Sequence, residues 1–388
     1  MNASHVIARL ASSAGDVGAD AWNACANPLG VPDAHPFTRY EFFDALEQSG
    51  SACTKTGWRP CHLALEHNGT VEALLPLYLK SHSRGEYVFD HGWADAFERA
   101  GGQYYPKLQA SVPFTPVTGP RLLAGAGVDK ESAQKALLDA AAQATRSLDA
   151  SSLHITFMTH EECALAAAHG YLRRTDQQFH WINQGYSSFD DFLAGLSSSR
   201  RRTLRKERVA IRAAGIEFDW LTGSDITERH WDTFFAFYIC TGNQKWGQPY
   251  LTREFFSRVG AGMGEATLLV IARRGRQPIA AALNFMGERT LFGRNWGAGE
   301  YVPFLHFETC YYQAIDYAIA HGFDRVEAGA QGAHKLLRGY SPELTRSAHF
   351  IANPAFRDAV ARYLLRERAA VAQETEELRS YLPFREEG

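Results

Sequence analysis

The sequence lacks the cysteine and histidine patterns that build disulfide frameworks and zinc sites. Its six cysteines are scattered over 388 residues, and no two of them are spaced as Cys-x-x-Cys. Scattered thiols of this kind favour a protein whose cysteines stay reduced. The stretch His160-Glu161-Glu162 also lacks the second histidine of an HExxH motif, so we predict no metal site.

Long apolar runs and a strong excess of one charge are missing as well. The N-terminus has neither a basic region nor a long apolar core, which argues against a signal peptide. No run approaches the roughly 18 apolar residues that span a bilayer. The formal net charge is only −3, which gives no overall signal for nucleic acid or membrane. We therefore expect a cytoplasmic protein with no DNA partner and no stable membrane insertion.

Two common catalytic signatures are also absent. Gly125-Ala126-Gly127 lacks the third glycine and the preceding strand of a dinucleotide-binding fingerprint. The sequence contains no GxSxG, and no cysteine has an evident base beside it. With 45% hydrophobic and 12% aromatic residues, however, the chain can bury large cores.

Two stretches about 200 residues apart share one order of predicted elements. PFTRYEFF (36–43) precedes a hairpin and an aromatic strand that ends at Trp93, and PYLTREFF (249–256) precedes a hairpin and a strand that ends at Gly297. A long helix and another strand follow in both halves. We therefore predict an α+β fold of two similar units, residues 1–185 and 186–388, each a mostly antiparallel sheet flanked by helices.

Two predicted helices lie outside this repeated pattern. Residues 200–214 carry seven basic residues and one acid, which predicts a basic helix at the junction of the two units. That helix is a candidate for binding the phosphates of CoA, a nucleotide-linked sugar, tRNA or an acidic lipid surface, although such a charge run also suits a solvated face. Residues 355–382 predict a charged C-terminal tail of one or two helices.

An unusual group of polar residues falls in the last third of the chain, on elements that otherwise look buried. An unpaired buried charge costs several kcal/mol, so these residues either pair with each other or bind something. The group comprises Arg294, His306, Glu308, Glu327, Gln331, His334, Lys335 and Arg338.

A carboxylate or imidazole in a partly buried cleft can act as a base with a pKa near the working pH. We predict that Glu308, Glu327 or His306 is this base, with Tyr301 as an acid for the leaving group. The alternative is a structural network in which the two glutamates pair with arginines of the same segment.

Four strings of the sequence resemble those of one known family. They are LPLYLKSHSRGEYVFD (75–90), VPFTPVTGPRLL (112–123), PFLHFETCYY (303–312) and EAGAQGAHKLLRGY (327–340). From about residue 30 to about residue 370, the chain resembles the bacterial N-acyltransferases called FemAB-like or peptidoglycan biosynthesis/recognition proteins, within the GNAT (acyl-CoA N-acyltransferase) superfamily. The resemblance implies tandem GNAT-like units and transfer of an acyl or aminoacyl group to an amine. It suggests a relation to cell-wall precursors but leaves the identity of the acceptor amine open.

The chain departs from ordinary GNAT enzymes where those enzymes cradle the CoA pyrophosphate on a Gln/Arg-x-x-Gly-x-Gly/Ala loop. Residues 297–308 lack that spacing, and Pro303 removes one N–H donor. The donor stays open between acyl-CoA and an aminoacyl-tRNA, which would make tRNA a partner, and we expect no tightly bound cofactor. The residues predicted to hold the donor are Arg294, Gly329, Gln331, Gly332, His334, Lys335 and Arg338.

The acceptor, a small-molecule or peptide amine, is expected to meet a different set of residues. Arg121 follows a proline-rich loop and is predicted to bind an anionic group, unless it only braces that loop. Trp246, Tyr250 and Trp296 are predicted to line an acceptor pocket, unless they only cover the core. A module that recognises a cell-wall precursor without performing chemistry is the alternative to an enzyme.

Overall fold

The computed structural model describes residues 6–30, 35–245, 249–329 and 332–385, which form two compact units. The first unit consists of the residues up to Asp176 together with Leu344–Gln373. The second consists of Gln177–Glu343 together with the residues from Glu374 onward. The chain therefore leaves the first unit, completes most of the second, and then returns to the first.

The first unit combines short strands with helices. Its strands are β1 (Val6–Ala11), β2 (Trp58–Pro60), β3 (His62–His67), β4 (Thr70–Leu75), β5 (Tyr78–Lys80), β6 (Lys107–Ala110), β7 (Leu123–Ala124), β8 (Ser152–Ile155) and most of β15 (Ser341–Ile351). Its helices are α1 (Ala14–Val17), α2 (Ala19–Ala26), α3 (Tyr40–Gln48), α4 (His91–Arg99), α5 (Lys130–Ser147), α6 (His160–Ala168) and most of α13 (Pro354–Ser380). Strands β1-β3-β4-β7 form an antiparallel sheet, and β2-β5-β6-β8-β15 are hydrogen-bonded in that order.

The second unit contains longer strands. They are β9 (Leu172–Ile182), which begins in the first unit, β10 (Ile216–Thr222), β11 (Thr267–Arg274), β12 (Gln277–Met286), β13 (Thr290–Ala298) and β14 (Arg325–Glu327). The helices are α7 (Phe189–Gly195), α8 (Ser198–Ala213), α9 (Glu228–Lys245), α10 (Arg253–Met263), α11 (Leu305–Phe307) and α12 (Gln313–Ala320). The strand order is β10-β11-β12-β13-β14-β9.

Each unit is a mixed, mostly antiparallel set of strands flanked by helices, which confirms the predicted α+β class. In the first unit, β6 and β8 are parallel and are connected through α5. In the second unit, β13 and β14 are parallel and are connected through α12. An antiparallel hairpin precedes the parallel pair in both units, as β3–β4 and as β11–β12.

Two details of the first unit differ from the sequence-based expectation. The aromatic strand expected to end at Trp93 is absent, because a loop leads directly into α4 at His91. The expected boundary between residues 185 and 186 also differs from the division at Asp176/Gln177. Residues 344–373 return to the first unit because β15 pairs with β8 there and the start of α13 packs on Trp93 and Tyr104.

The two helices expected outside the repeat are both present. The basic helix is α8, and the C-terminal tail is the single helix α13. Among the helices of the described residues, none has the length and apolar character needed to cross a bilayer.

A buried cluster of charges holds the loop before α4 in the first unit. The Lys107 ammonium donates to Glu86 at 2.7 Å, to Ser83 at 2.8 Å and to Asp90. Tyr104 donates to the same Asp90 carboxylate at 2.6 Å. Burial raises the pKa of Glu86 to about 7, whereas Lys107 holds the pKa of Asp90 well below its usual range despite burial. These bonds explain why residues 81–90 form a loop rather than a strand.

Helix α9 approaches β13 closely enough that only glycine fits between them. A Cβ added at Gly297 would lie 2.3 Å from the carbonyl carbon of Phe237 and 2.5 Å from the backbone nitrogen of Tyr238. The backbone N–H of Ala298 also donates to Thr241 Oγ1 at 3.1 Å. Helix α9 therefore rests on the backbone of the strand that carries Arg294 and Trp296.

Replacing Lys107 with methionine tests the buried cluster. We expect Lys107→Met to lower the free energy of unfolding by about 3–5 kcal/mol, because the buried Asp90 carboxylate would lose its ammonium partner. Chemical denaturation measures this change. The control is Lys135→Met, which removes an exposed lysine paired with Glu131 on α5 and should leave the unfolding midpoint unchanged. Equal effects of both substitutions would contradict the structural role of the cluster.

Replacing Gly297 with alanine tests the contact between α9 and β13. The added methyl group meets backbone atoms that cannot rotate away, so we expect a loss of about 1–3 kcal/mol of stability. Gly195→Ala is the matched control, since its Cβ would meet only the Tyr186 side chain at ordinary distances of 3.6 and 3.9 Å. Thermal unfolding of both variants distinguishes a close backbone contact from the general effect of an added methyl group.

Candidate active site

In the second unit, the regular pairing of β13 is interrupted on both of its edges near Arg294. The pairing of β12 with β13 places Leu283 opposite Asn295 and Asn284 opposite Gly293, so Arg294 is the extra residue of a β-bulge. On its other edge, β13 pairs with β14 only as far as Phe292, because β14 ends there. Bulges often redirect side chains next to functional sites.

A cavity of about 90 Å³ lies at this irregularity. Its polar and aromatic lining comes from β12, β13 and the helix that follows, and it includes Asn284, Arg294, Trp296, His306, Cys310 and Tyr311. The volume holds about three water molecules, which suits a reacting group rather than a whole cofactor.

The helix that follows β13 contains a π-helical turn, Glu308–Tyr312, between α11 and α12. Such turns are rare and frequently occur at functional sites. The turn places Cys310 and Tyr311 in the cavity lining. Glu308 and Tyr312 instead contact Arg208 and Glu207 of α8. Two residues of this turn therefore line the cavity, and two others attach the helix to α8.

Glu308, one of the predicted bases, takes part in a buried ion-pair network. Its Oε1 accepts from Arg208 Nη2 at 3.0 Å and from Gln313 Nε2 at 2.9 Å. Arg208 also pairs with Asp316 at 2.5 Å. Burial raises the pKa of Glu308, and the Arg208 charge opposes that rise. The structure brings Glu308 to α8 and not to the cavity lining.

Glu327, the second predicted base, is buried at the end of β14. It lies directly opposite His180 of β9, with 3.9 Å between Glu327 Oε1 and His180 Nε2. Burial lowers the pKa of His180, which favours its neutral form at pH 7. Glu327 Oε2 is buried and has no hydrogen-bond partner among the described residues. Glu327 is thus a buried carboxylate at the end of β14, where the parallel pairing of β13 with β14 stops.

Lys335 was predicted as a donor-binding residue, and its environment is suited to proton transfer. It lies in a 3₁₀-helical segment, Ala333–Arg338, and only 2% of its surface is exposed. Its ammonium donates to the Gly329 carbonyl at 2.8 Å. Burial, reinforced by the nearby charge of Arg294, lowers the pKa of Lys335 to about 7. This shift favours the neutral amine of Lys335 over the charged form that an exposed lysine keeps.

Arg338 anchors this segment to α8. Its Nη2 donates to both carboxylate oxygens of Glu207, at 2.9 and 3.1 Å, and its Nη1 donates to the His334 carbonyl at 2.9 Å. Its guanidinium carbon lies 3.4 Å from the centre of the Phe307 ring. These contacts occupy Arg338 with protein partners and fix the position of the segment that carries Lys335.

The other described residues predicted to hold the donor lie on β13 or between the end of β14 and Arg338. Arg294 lines the cavity, and His334 is exposed with Nε2 at 2.9 Å from the Tyr311 hydroxyl. Gly329 and Gly332 have φ angles of 77° and 114°, a region that favours glycine. Gln331 lies outside the described residues.

The remaining candidates of the second unit divide between the cavity and the surface. His306 and Trp296 both line the cavity, with 5.2 Å between their ring centres. Tyr301, the predicted acid, is 91% exposed and is not brought to the cavity. Tyr250 is 37% exposed and also lies outside the lining, whereas Trp246 falls outside the described residues.

Arg121 belongs to the first unit and braces its proline-rich loop. The buried guanidinium donates to the carbonyl oxygens of Val117, Pro120 and Thr156. The structure therefore supports the bracing alternative rather than the predicted contact with an anionic substrate.

Sequence reasoning missed four residues of the site. His180 was missed because its pairing with Glu327 depends on strands that are distant in sequence. Cys310 and Tyr311 were missed because the π-helical turn alters which residues face the cavity. Asn284 did carry a signal, since it is a polar residue that follows an apolar run within β12.

Among the described residues, no group of three or more His, Cys, Asp or Glu side chains could hold a metal ion.

The chain is similar over 88% of its length to the crystal structure of FemX, with 97% of that chain covered, 12% identity and a TM-score of 0.52. It is also similar over 86% of its length to L-PGS from Bacillus licheniformis, with 98% of that chain covered, 10% identity and a TM-score of 0.50. At these identities the similarity concerns the fold alone. No curated protein matches the chain in sequence.

Sequence comparison with family models gives a more direct result. Residues 13–386 match the model of a family described by peptidoglycan biosynthesis/recognition. That match spans nearly all of the sequence, including the bulge at Arg294, the π-helical turn and the segment that carries Lys335. The chain therefore belongs to the FemAB-like family.

Proposed function

We propose that this protein is an N-acyltransferase that moves an acyl or aminoacyl group from a thioester or ester donor to an amine related to cell-wall precursors. The family assignment supports a role in peptidoglycan biosynthesis or recognition. The observation that carries the chemical part of the proposal is the buried Lys335, whose pKa is lowered to about 7 by burial and by the charge of Arg294. Lys335 does not itself line the cavity, but Arg294 does.

Lys335 is the best candidate for the base. The neutral amine of Lys335 takes a proton from the acceptor nitrogen as that nitrogen attacks the carbonyl carbon of the donor. A C–N bond forms, and the C–S or C–O bond of the donor breaks. The Lys335 ammonium then returns the proton to the leaving sulfur or oxygen, which leaves the lysine neutral for the next cycle.

Arg294 is positioned for a complementary role. Arg294 lines the cavity, and its positive charge can stabilise the negative charge that develops on the carbonyl oxygen during attack. The same charge lowers the pKa of Lys335 and therefore keeps the base in its reactive form. His306 and Trp296 form part of the wall that would orient the reacting groups.

Glu327 and His306 stay as alternative bases. Glu327 is buried at the end of β14, and His306 lines the cavity. Glu308 is better explained as an anchor, because it is already paired with Arg208. Substitution of each candidate distinguishes these roles, because only the base should alter how the rate depends on pH.

An aminoacyl-tRNA is favoured over acyl-CoA as the donor by the outward face of α8. Its exposed basic side chains are Arg202, Arg205, Lys206 and Arg212. Arg205 pairs with Asp190 at 3.2 Å, and an exposed pair of this kind is readily displaced by phosphate. The opposite face of α8 is occupied by contacts to Arg338 and Glu308. A basic outer face of this kind suits a polyanion better than a single pyrophosphate.

We expect Lys335→Met to reduce the rate of acyl transfer by about 10²- to 10⁴-fold, because the general base is lost. The assay follows radiolabelled alanine from alanyl-tRNA, and acetyl from acetyl-CoA, to the lysine amine of a peptidoglycan pentapeptide. In the unsubstituted protein kcat/KM should rise with pH and level off above about 7, because Lys335 acts only when deprotonated. Lys335→Met should abolish this rise while keeping the thermal unfolding midpoint close to normal.

Glu308→Gln is the comparison variant for this test. It weakens the ion pair with Arg208, so we expect a lower unfolding midpoint and an unchanged pH profile. A normal rate and pH profile in Lys335→Met, with loss of both in Glu327→Gln, would transfer the role of base to Glu327. Binding of either donor without transfer to any amine would favour the recognition module over the enzyme.

A further inference from the structure

A second cavity, open to solvent, lies in the first unit between the end of α6, the start of β9 and α13. Its volume is about 510 Å³, within the range typical of small-molecule sites. All of its lining residues belong to the first unit. None of them has a role in the proposed transfer reaction.

The floor of this groove is aliphatic. From α13 it includes Ala361, Leu364 and Leu365, which recur at the spacing of one helical face. Leu364 is fully buried, whereas Leu365 is 63% exposed. From the other wall come Ala167, Ala168 and Leu172. Leu365 therefore contributes exposed aliphatic surface to the groove.

The polar part of the lining is confined to two arginines and one tyrosine. Arg368 Nη1 donates to the Arg173 carbonyl at 2.7 Å, which fixes the two residues side by side. The Tyr171 hydroxyl is already used, since it donates to the Leu138 carbonyl at 2.7 Å. The groove thus offers positive charge at Arg173 and Arg368 and aliphatic surface elsewhere.

The neighbouring residues show that the charge in the groove is not part of the structural ion pairs. Arg174, next to Arg173, forms a bidentate pair with Glu367, at 2.9 and 2.7 Å. Within the described parts of the chain, Arg173 and Arg368 form no ion pair, and no carboxylate lines the groove. Arg174 and Glu367 therefore neutralise each other, and the positive charge of the groove is available to an external anion.

We propose that this groove binds an anionic amphiphile, a single acyl chain that ends in a phosphate or carboxylate. The chain would cover the aliphatic floor, and the anionic end would meet Arg173 and Arg368, whose planar guanidinium groups match the oxygens of either anion. A ligand whose single polar group lies at one end matches this lining, because the available polar groups of the groove are two arginines. The site is independent of the proposed transfer reaction.

Titration calorimetry with dodecyl phosphate and with dodecanoate, each below its critical micelle concentration, tests this proposal. We expect saturable binding with one ligand per chain. Decyl maltoside, which is neutral, should bind at least tenfold more weakly, and inorganic phosphate should show no saturable binding in the same concentration range. Equal affinity for the two anionic ligands would identify charge as the recognised feature, and tighter binding of dodecyl phosphate would identify a phosphate headgroup.

Variants complete the test. Arg173→Gln removes an exposed charge and should weaken binding of dodecyl phosphate at least tenfold without affecting folding. Arg366→Gln, on the exposed side of α13 and outside the groove, is the matched control and should leave the affinity unchanged. Equal weakening by both variants, equal binding of the neutral detergent, or no saturable binding of either anionic ligand would overturn the proposal.

Discussion

The ion pairs on the inward face of α8 hold the candidate active site together. Glu207 binds Arg338, which fixes the segment that carries Lys335, and Arg208 binds Glu308, which fixes the π-helical turn that carries Cys310. Both pairs are largely buried, so breaking either one would leave an uncompensated charge. Two parts of the candidate active site thus depend on successive residues of one helix, although neither residue lines the cavity.

In the second unit, the effect of burial on the pKa of a charged group depends on the partners of that group. Among the described residues, the hydrogen-bond partner of the Lys335 ammonium is a carbonyl, and burial together with the nearby charge of Arg294 lowers the pKa of Lys335 toward neutrality. Glu308 is also buried, but it faces Arg208, which opposes the effect of burial on its pKa. Buried charges with opposite partners are structural, whereas a buried amine without one is suited to exchanging protons.

Much of the fold was predictable from sequence, and less of the candidate site. Hydrophobic periodicity and turn signals were sufficient for the hairpin β11–β12, the basic helix α8 and the α+β class. The segment that carries Arg294, Glu327 and Lys335 was identified because charges are unusual on apolar elements. Sequence spacing could not show that Glu308 turns toward α8, since that direction depends on the π-helical turn. Nor could it reveal the pairing of His180 with Glu327, which depends on strand order.

The return of residues 344–373 to the first unit has a consequence for synthesis on the ribosome. Strand β15 and the start of α13 complete the first unit, yet they are translated only after most of the second unit. Domains generally fold as units while the chain is being made. Here the second unit can acquire most of its structure first. The first unit stays incomplete, with part of its core exposed, until residues 344–373 have been synthesised. The order of folding is therefore expected to run against the order of translation.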